Sequence, residues 1–300
     1  MKTFLSLLTL LLATLAGHAK LNVVATLPDY AAIAKEIGGD RIDVTSLAKG
    51  PEDAHFVDAK PSFIRVLNKA DILLEGGADL EIGWLPSLVA NARNSKILPN
   101  GSGHVVLSEN VKLIGVPTGP VDRSMGDVHP AGNPHYAMDP VNGKFMAERI
   151  TQVLSRLDSA NAAFYQSNNE RFALRLDQKV TDWKRRLEPY RGAKVITYHR
   201  TFDYFLERFG FELVGTIEPK PGLEPSPTHI NALMSRTKEQ GVKLVIAEPF
   251  RPRRTPEYVA DRIGAKMLVL PDKVGAVKNV TDYFGLFDYT VTQVETALKN

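Results

Sequence analysis

At 300 residues the chain has room for about two domains. Hydrophobic residues make up 44% and charged residues 24%, the balance of a folded protein, which excludes a disordered chain, a fibre and a multi-span membrane protein. Thirty-seven Lys and Arg against 34 Asp and Glu leave a formal charge of only +3, too little to argue for nucleic acid or an acidic membrane as partner. Cysteine is absent, so disulfides, thiol chemistry and cysteine-based zinc or iron–sulfur sites are excluded. Any metal site must be built from His, Asp and Glu.

In chain order, residues 1–19 read as an export signal. Lys2 supplies a short positive start. Phe4 to Ala16 is an uncharged Leu-rich run, and Gly17-His18-Ala19 places small residues before a cleavage point at Lys20. With no Cys to carry a lipid, the expectation is a free exported protein trimmed near Ala19, in a bacterial periplasm.

The rest alternates strands and helices. Leu21 to Leu27 reads as a buried strand. Pro28-Asp29 opens a helix that Gly38-Gly39 closes, Ile42 to Leu47 is a second strand, and Pro61 starts another helix. Asp71 to Leu74 and His104 to Leu107 are further strands. Asp139 with Pro140 is expected to cap a helix reaching Leu157. The rhythm then breaks: Phe172, Leu176, Val180, Trp183 and Leu187 recur at helical spacing on an otherwise polar stretch from Asp158 to Pro189. That predicts one helix about 40 Å long. Strands return at Lys194 to Tyr198, Glu212 to Thr216, Leu244 to Ala247 and Met267 to Leu270, with helix starts at Ser226-Pro227 and Thr255-Pro256.

The expected fold is α/β, two lobes each with a mainly parallel sheet flanked by helices, joined by one long rigid helix. The divisions are an N-terminal lobe over 20–157, the connecting helix over 158–190 and a C-terminal lobe over 191–300. A rigid connector implies a small lobe rotation on ligand binding. No phosphate loop, nucleophile elbow or His-Glu-x-x-His motif is present.

The chemistry is then left to the histidines. His18 leaves with the signal, His229 reads as an exposed helix-start residue, and His104 as a surface residue opening a strand. His55 and His135 lie in loops before helices, and His199 directly follows a strand. Open α/β sheets bind ligands at the carboxyl ends of their strands, where all three can meet in a cleft between the lobes.

The stretches His55-Phe56-Val57-Asp58-Ala59-Lys60-Pro61-Ser62, Gly132-Asn133-Pro134-His135-Tyr136-Ala137-Met138-Asp139-Pro140 and Thr197-Tyr198-His199-Arg200-Thr201-Phe202-Asp203 resemble the zinc- and manganese-binding solute-binding proteins of ABC transporters, cluster A-I. The resemblance spans the mature chain and includes Glu248-Pro249. It implies one metal ion held between the lobes by His55, His135 and His199. A fourth ligand, Asp272, comes from Asp272-Lys273-Val274-Gly275. Three imidazoles and one carboxylate suit tetrahedral Zn²⁺ better than Mn²⁺, which prefers more oxygen donors.

The resemblance further implies a monomer serving an inner-membrane ABC permease, with room for a periplasmic metallochaperone. Departures from the family pattern are Val57, Ala137-Met138, and Leu-Pro-Asp at the fourth-ligand loop. The region from Val116 to Pro134, where zinc members carry a His-rich loop, holds only Asp122, Asp127 and His129. It reads as an auxiliary binding or access loop, or as a plain flexible one. An exported zinc hydrolase with Glu248 as general base is the alternative from another class, a manganese transporter component the alternative within the family, and an adhesin role a further activity some relatives carry.

Overall fold

A computed structural model describes residues 20–299 apart from 122–125 and 127. The export signal expected at 1–19, with His18 and Ala19, and the acids Asp122 and Asp127 lie outside the described residues.

Two four-stranded parallel sheets form the molecule. The first contains β1 (Leu21–Ala25), β2 (Ile42–Ser46), β3 (Ile72–Glu75) and β4 (His104–Val106) in the order β2-β1-β3-β4. The second contains β5 (Lys194–Thr197), β6 (Glu212–Thr216), β7 (Leu244–Ala247) and β8 (Lys266–Val269) in the order β6-β5-β7-β8. Every pairing is parallel, and the two sheets share one connectivity. Helices α1 (Pro28–Gly38), α2 (Pro61–Asn68) and α3 (Leu85–Asn91) supply crossovers in the first half, and α6 (Asp203–Phe209), α7 (Pro227–Thr237) and α8 (Arg254–Ile263) those in the second. This is the α/β architecture the alternation predicts.

The central strands are buried on both faces, as parallel strands covered by helices must be. Leu244 and Ile246 of β7 point into the larger core, while Val245 and Ala247 point into a smaller one with Ile230, Leu233 and Val259. Proline at a first helical turn, where a backbone N–H has no partner to lose, marks α1, α2, α3 and α7. At α7 the Ser226 hydroxyl accepts from the His229 amide at 3.2 Å.

Between the sheets run α4 (Asn142–Leu157) and α5 (Ala162–Leu187). All five stripe residues of α5 are buried, with Tyr165 and Asn168 extending the stripe. Its 26 residues span about 39 Å. Asp158 does not cap this helix: its carboxylate accepts from Asn161 Nδ2 and the Tyr165 hydroxyl around a 3-10 turn, Ser159–Asn161. A second such turn, Glu188–Tyr190, follows α5. Nor does α4 start at Pro140. Tyr136–Met138 form a 3-10 turn, Asp139 Oδ1 accepts from the Val141 amide at 2.9 Å, and the helix begins three residues after Asp139. The last helix, α9 (Tyr283–Lys299), lies against α5, where Trp183 Nε1 donates to Asp288 Oδ1 at 2.8 Å.

Candidate metal centre

The candidate side chains come from the carboxyl edges of the strands and the loops that follow them. His55 lies in the loop after β2, His199 two residues past β5, Glu218 two past β6, Glu248 directly after β7 and Asp272 three past β8. His135 follows the long loop after β4. Local turns aim them. The His55 amide donates to Asp53 Oδ1 at 3.0 Å and the Trp84 indole donates to the Ala54 carbonyl at 3.0 Å, so the loop is fixed immediately before His55. The His135 amide donates to Asn133 Oδ1 at 2.9 Å, the Asx turn for which Asn suits this position.

These turns bring the three rings together. His55 Nε2 lies 3.2 Å from His135 Nε2, which lies 3.1 Å from His199 Nε2. One donor atom from each falls within 4.8 Å of the others. Three nitrogens bonded to one ion at about 2.0–2.1 Å and tetrahedral angles stand about 3.3 Å apart, so the spacing fits a shared cation. Burial disfavours protonation of His55 and His135, and the neighbouring imidazoles add to the effect, holding both pKa values well below the ordinary 6.5. Neutral imidazole is the form that binds metal.

His199 is oriented from behind by Glu218, whose Oε2 accepts from Nδ1 at 2.7 Å. That bond puts the proton on Nδ1 and leaves the Nε2 lone pair facing the cluster. Glu218 is held in turn by the Gly222 amide at 3.1 Å and by Arg251 at 3.0 Å. Arg251 also reaches Asp53, the partner of the His55 amide, at 3.6 Å. The sequence reading missed Glu218 and Arg251. The available signal was strand register: β6 ends in Thr216, and an acid two residues on must lie on the edge that carries His199.

Asp272 is buried beside the cluster and lines, with His135, Asp29 and Lys273, a cavity of about 20 Å³. It is not among the three residues whose donor atoms converge. One oxygen is ion-paired to Lys273; the other, Oδ1, is buried with no hydrogen-bond partner. Burial raises its pKa, as it does for the fully buried Glu248, whose nearest cation is Arg251 at 3.8 Å. His135 and His199 also line a second cavity, of about 100 Å³, with His129, whose ring stacks on His55 at 5.2 Å between centroids. His104 opens β4 and pairs with Glu75 at 3.0 Å, and His229 bonds the Thr216 carbonyl at 3.1 Å; neither ring belongs to the converging trio.

The model of a family described as "Zinc-uptake complex component A periplasmic" matches residues 23–297. The chain belongs to that family. It is a substrate-binding component of a metal ABC transporter, a role that implies a membrane permease as partner. Among similar proteins is the manganese ABC transporter substrate-binding lipoprotein of Streptococcus mitis, 27% identical over 94% of this chain and 91% of that protein. The high-affinity zinc uptake system protein of Bacillus subtilis is 26% identical over 88% of this chain and 82% of that one. Among solved structures, a zinc-uptake protein crystal structure superposes with a TM-score of 0.77 at 21% identity, covering 93% of this chain and 99% of that one. A periplasmic metal-binding protein from Candidatus Liberibacter asiaticus gives 0.78 at 21% identity. No helix among the described residues is long and apolar enough to cross a membrane.

Proposed function

We propose that this chain captures Zn²⁺ in the periplasm between its two lobes and delivers it to the permease. His55, His135, His199 and Asp272 are the ligands. The observation that carries this reading is the convergence of three imidazole nitrogens within 4.8 Å of one another, with the open oxygen of Asp272 beside them. A nitrogen-rich set of four suits Zn²⁺, whose tetrahedral sites take His and carboxylate, whereas Mn²⁺ favours six oxygen-type donors. The protein works as a monomer without catalysing a reaction. Its family, a transport component, gives no support to the hydrolase alternative.

Manganese is the second reading, favoured by the relatives named as manganese-binding components. Metal analysis of the purified periplasmic form, with competition titration of zinc and manganese against a chromophoric chelator, separates the two. Zinc should be present at one ion per chain and bind far more tightly. Retention of manganese against zinc would overturn the assignment.

A further inference from the structure

The lysine next to Asp272 is unusual in its placement. Lys273 is 2% exposed, and an ammonium so buried must satisfy each of its three donors. It does so with the Glu52 carbonyl at 2.8 Å, the Gly50 carbonyl at 3.4 Å and Asp272 Oδ2, while the Phe250 ring lies 5.1 Å away. The two carbonyls belong to the β2 loop that carries His55, and Asp272 to the β8 loop of the other sheet. The β8 loop also meets the first turn of α1, where the Val274 amide donates to Asp29 at 2.6 Å. The β2 and β8 loops touch again at Gly50, where an added Cβ would lie 2.0 Å from the Gly275 carbonyl carbon. Lys273 therefore stands at the centre of a tight interlobe contact, with the Asp272 carboxylate as its ion-pair partner there.

We propose that Lys273 is a specificity-determining residue of the metal site. By holding Asp272 Oδ2 it offers the ion a single carboxylate oxygen, and so fixes a four-donor set that admits Zn²⁺ and disfavours Mn²⁺. The inference rests on the reading of Asp272 as fourth ligand. A carboxylate can bind a cation through one oxygen or two. With Oδ2 bound to the ammonium, the second mode is closed and the coordination number is capped. The ammonium also offsets part of the negative charge that a hard, oxygen-preferring ion needs. Zinc, bound mainly through three nitrogens, loses less by this than manganese does.

The test is Lys273→Met in the mature chain, which keeps an apolar stem and removes the charge, and Lys273→Gln, whose amide can still donate to the Glu52 carbonyl. Zinc and manganese affinities are measured by chelator competition, and coordination number by the visible absorption of bound Co²⁺, which is intense for four ligands and weak for five or six. The zinc-to-manganese affinity ratio should fall by about tenfold in both variants, mostly through tighter manganese binding, with a weaker Co²⁺ band. The ratio should not respond to either substitution in an Asp272→Ala background. A merely structural role would weaken both metals together and leave the ratio unchanged. That result in whichever variant folds, or an equal change in the Asp272→Ala background, would overturn the inference. If Asp272→Ala itself left both affinities and the Co²⁺ spectrum at wild-type values, the fourth-ligand reading would fail first.

Discussion

Glu218 offers the sharpest test of the proposed site, because on that reading it acts on the metal only through His199. Its Oε2 accepts the His199 Nδ1 proton at 2.7 Å, and the pair is buried, with His199 5% and Glu218 3% exposed. Outer partners of this kind are worth about 10–100-fold in metal affinity, or about 1.4–2.8 kcal/mol. Glu218→Ala removes the acceptor, frees the imidazole to take the wrong tautomer and should reach the upper end. Glu218→Gln keeps an oxygen for Nδ1–H but turns an amide NH₂ toward Arg251, which now donates to Oε1 at 3.0 Å. It should therefore lose about tenfold in affinity, with some loss of stability. Zinc competition titrations near neutral pH give the affinities, and circular dichroism shows that each variant is folded. A folded Glu218→Ala protein that bound zinc as tightly as wild type would refute the claim that this carboxylate sets the tautomer and basicity of His199.

Other expected outcomes follow from the ligand set. His199→Ala should weaken zinc more than Asp272→Ala, since water can replace a single oxygen donor, and His199→Glu should narrow the gap between zinc and manganese; chelator competition checks both. Because His55 and His135 have pKa values held well below 6.5, zinc affinity should stay nearly flat as pH falls to about 6.5 and drop only below it. The metal-free protein should lose stability over the same acidic range, because the unfolded state there takes up protons at these rings that the folded state refuses. Thermal melts that were flat between pH 7 and the acid limit would contradict this. Zinc-free and zinc-loaded protein should scatter X-rays with nearly the same radius of gyration; a contraction typical of wide hinge closure would contradict a rigid frame.

The fold was legible because its signals are local and periodic. β-branched runs bounded by Pro-start helices mark parallel strands, and the α5 stripe from Phe172 to Leu187 marks a helix with one buried face. Helix ends were less legible. Asp139 and Asp158 are good caps by residue type, but Asp139 shares its carboxylate between the Val141 amide and Arg208 ahead of a helix that starts at Asn142, and Asp158 gives its own to Asn161 and Tyr165. The three histidines could be picked out because His199 directly follows a strand, His55 and His135 sit in loops before helices, and all three lie in stretches that resemble the metal-binding family. Glu218 and Arg251 could not, because acids and arginines are common in loops and only the strand register of the second sheet shows which of them face His199. Lys273 was hidden for the same reason: its neighbours at Gly50 and Glu52 are more than two hundred residues away in sequence.

The packing between the sheets explains how one site can be shared by two lobes and still be precise. A single hydrophobic cluster runs from Val23 and Leu73 of the first sheet through Phe172, Trp183 and Phe287 of α5 and α9 to Leu244 and Ile246 of the second. Opening a wide cleft would expose part of that cluster, at about 25 cal/mol for each Å² of apolar surface returned to water. Polar ties add to it near the site: Asn133 Nδ2 donates to the Arg200 carbonyl at 2.8 Å, and the Tyr204 hydroxyl donates to the Asn133 carbonyl at 2.7 Å. These join the loop of His135 to the segment that follows His199. On the other side of the cluster the Lys273 contact joins the loops of His55 and Asp272. The four proposed ligands therefore sit on two pairs of loops, each pair clamped across the lobe boundary. Motion that admits an ion is cheapest in side chains and loops at this boundary, and dearest in the frame that holds the lobes. A frame of that kind keeps donor positions fixed before the ion arrives, so that on the proposed reading nitrogen count and carboxylate mode, rather than lobe closure, decide which metal stays.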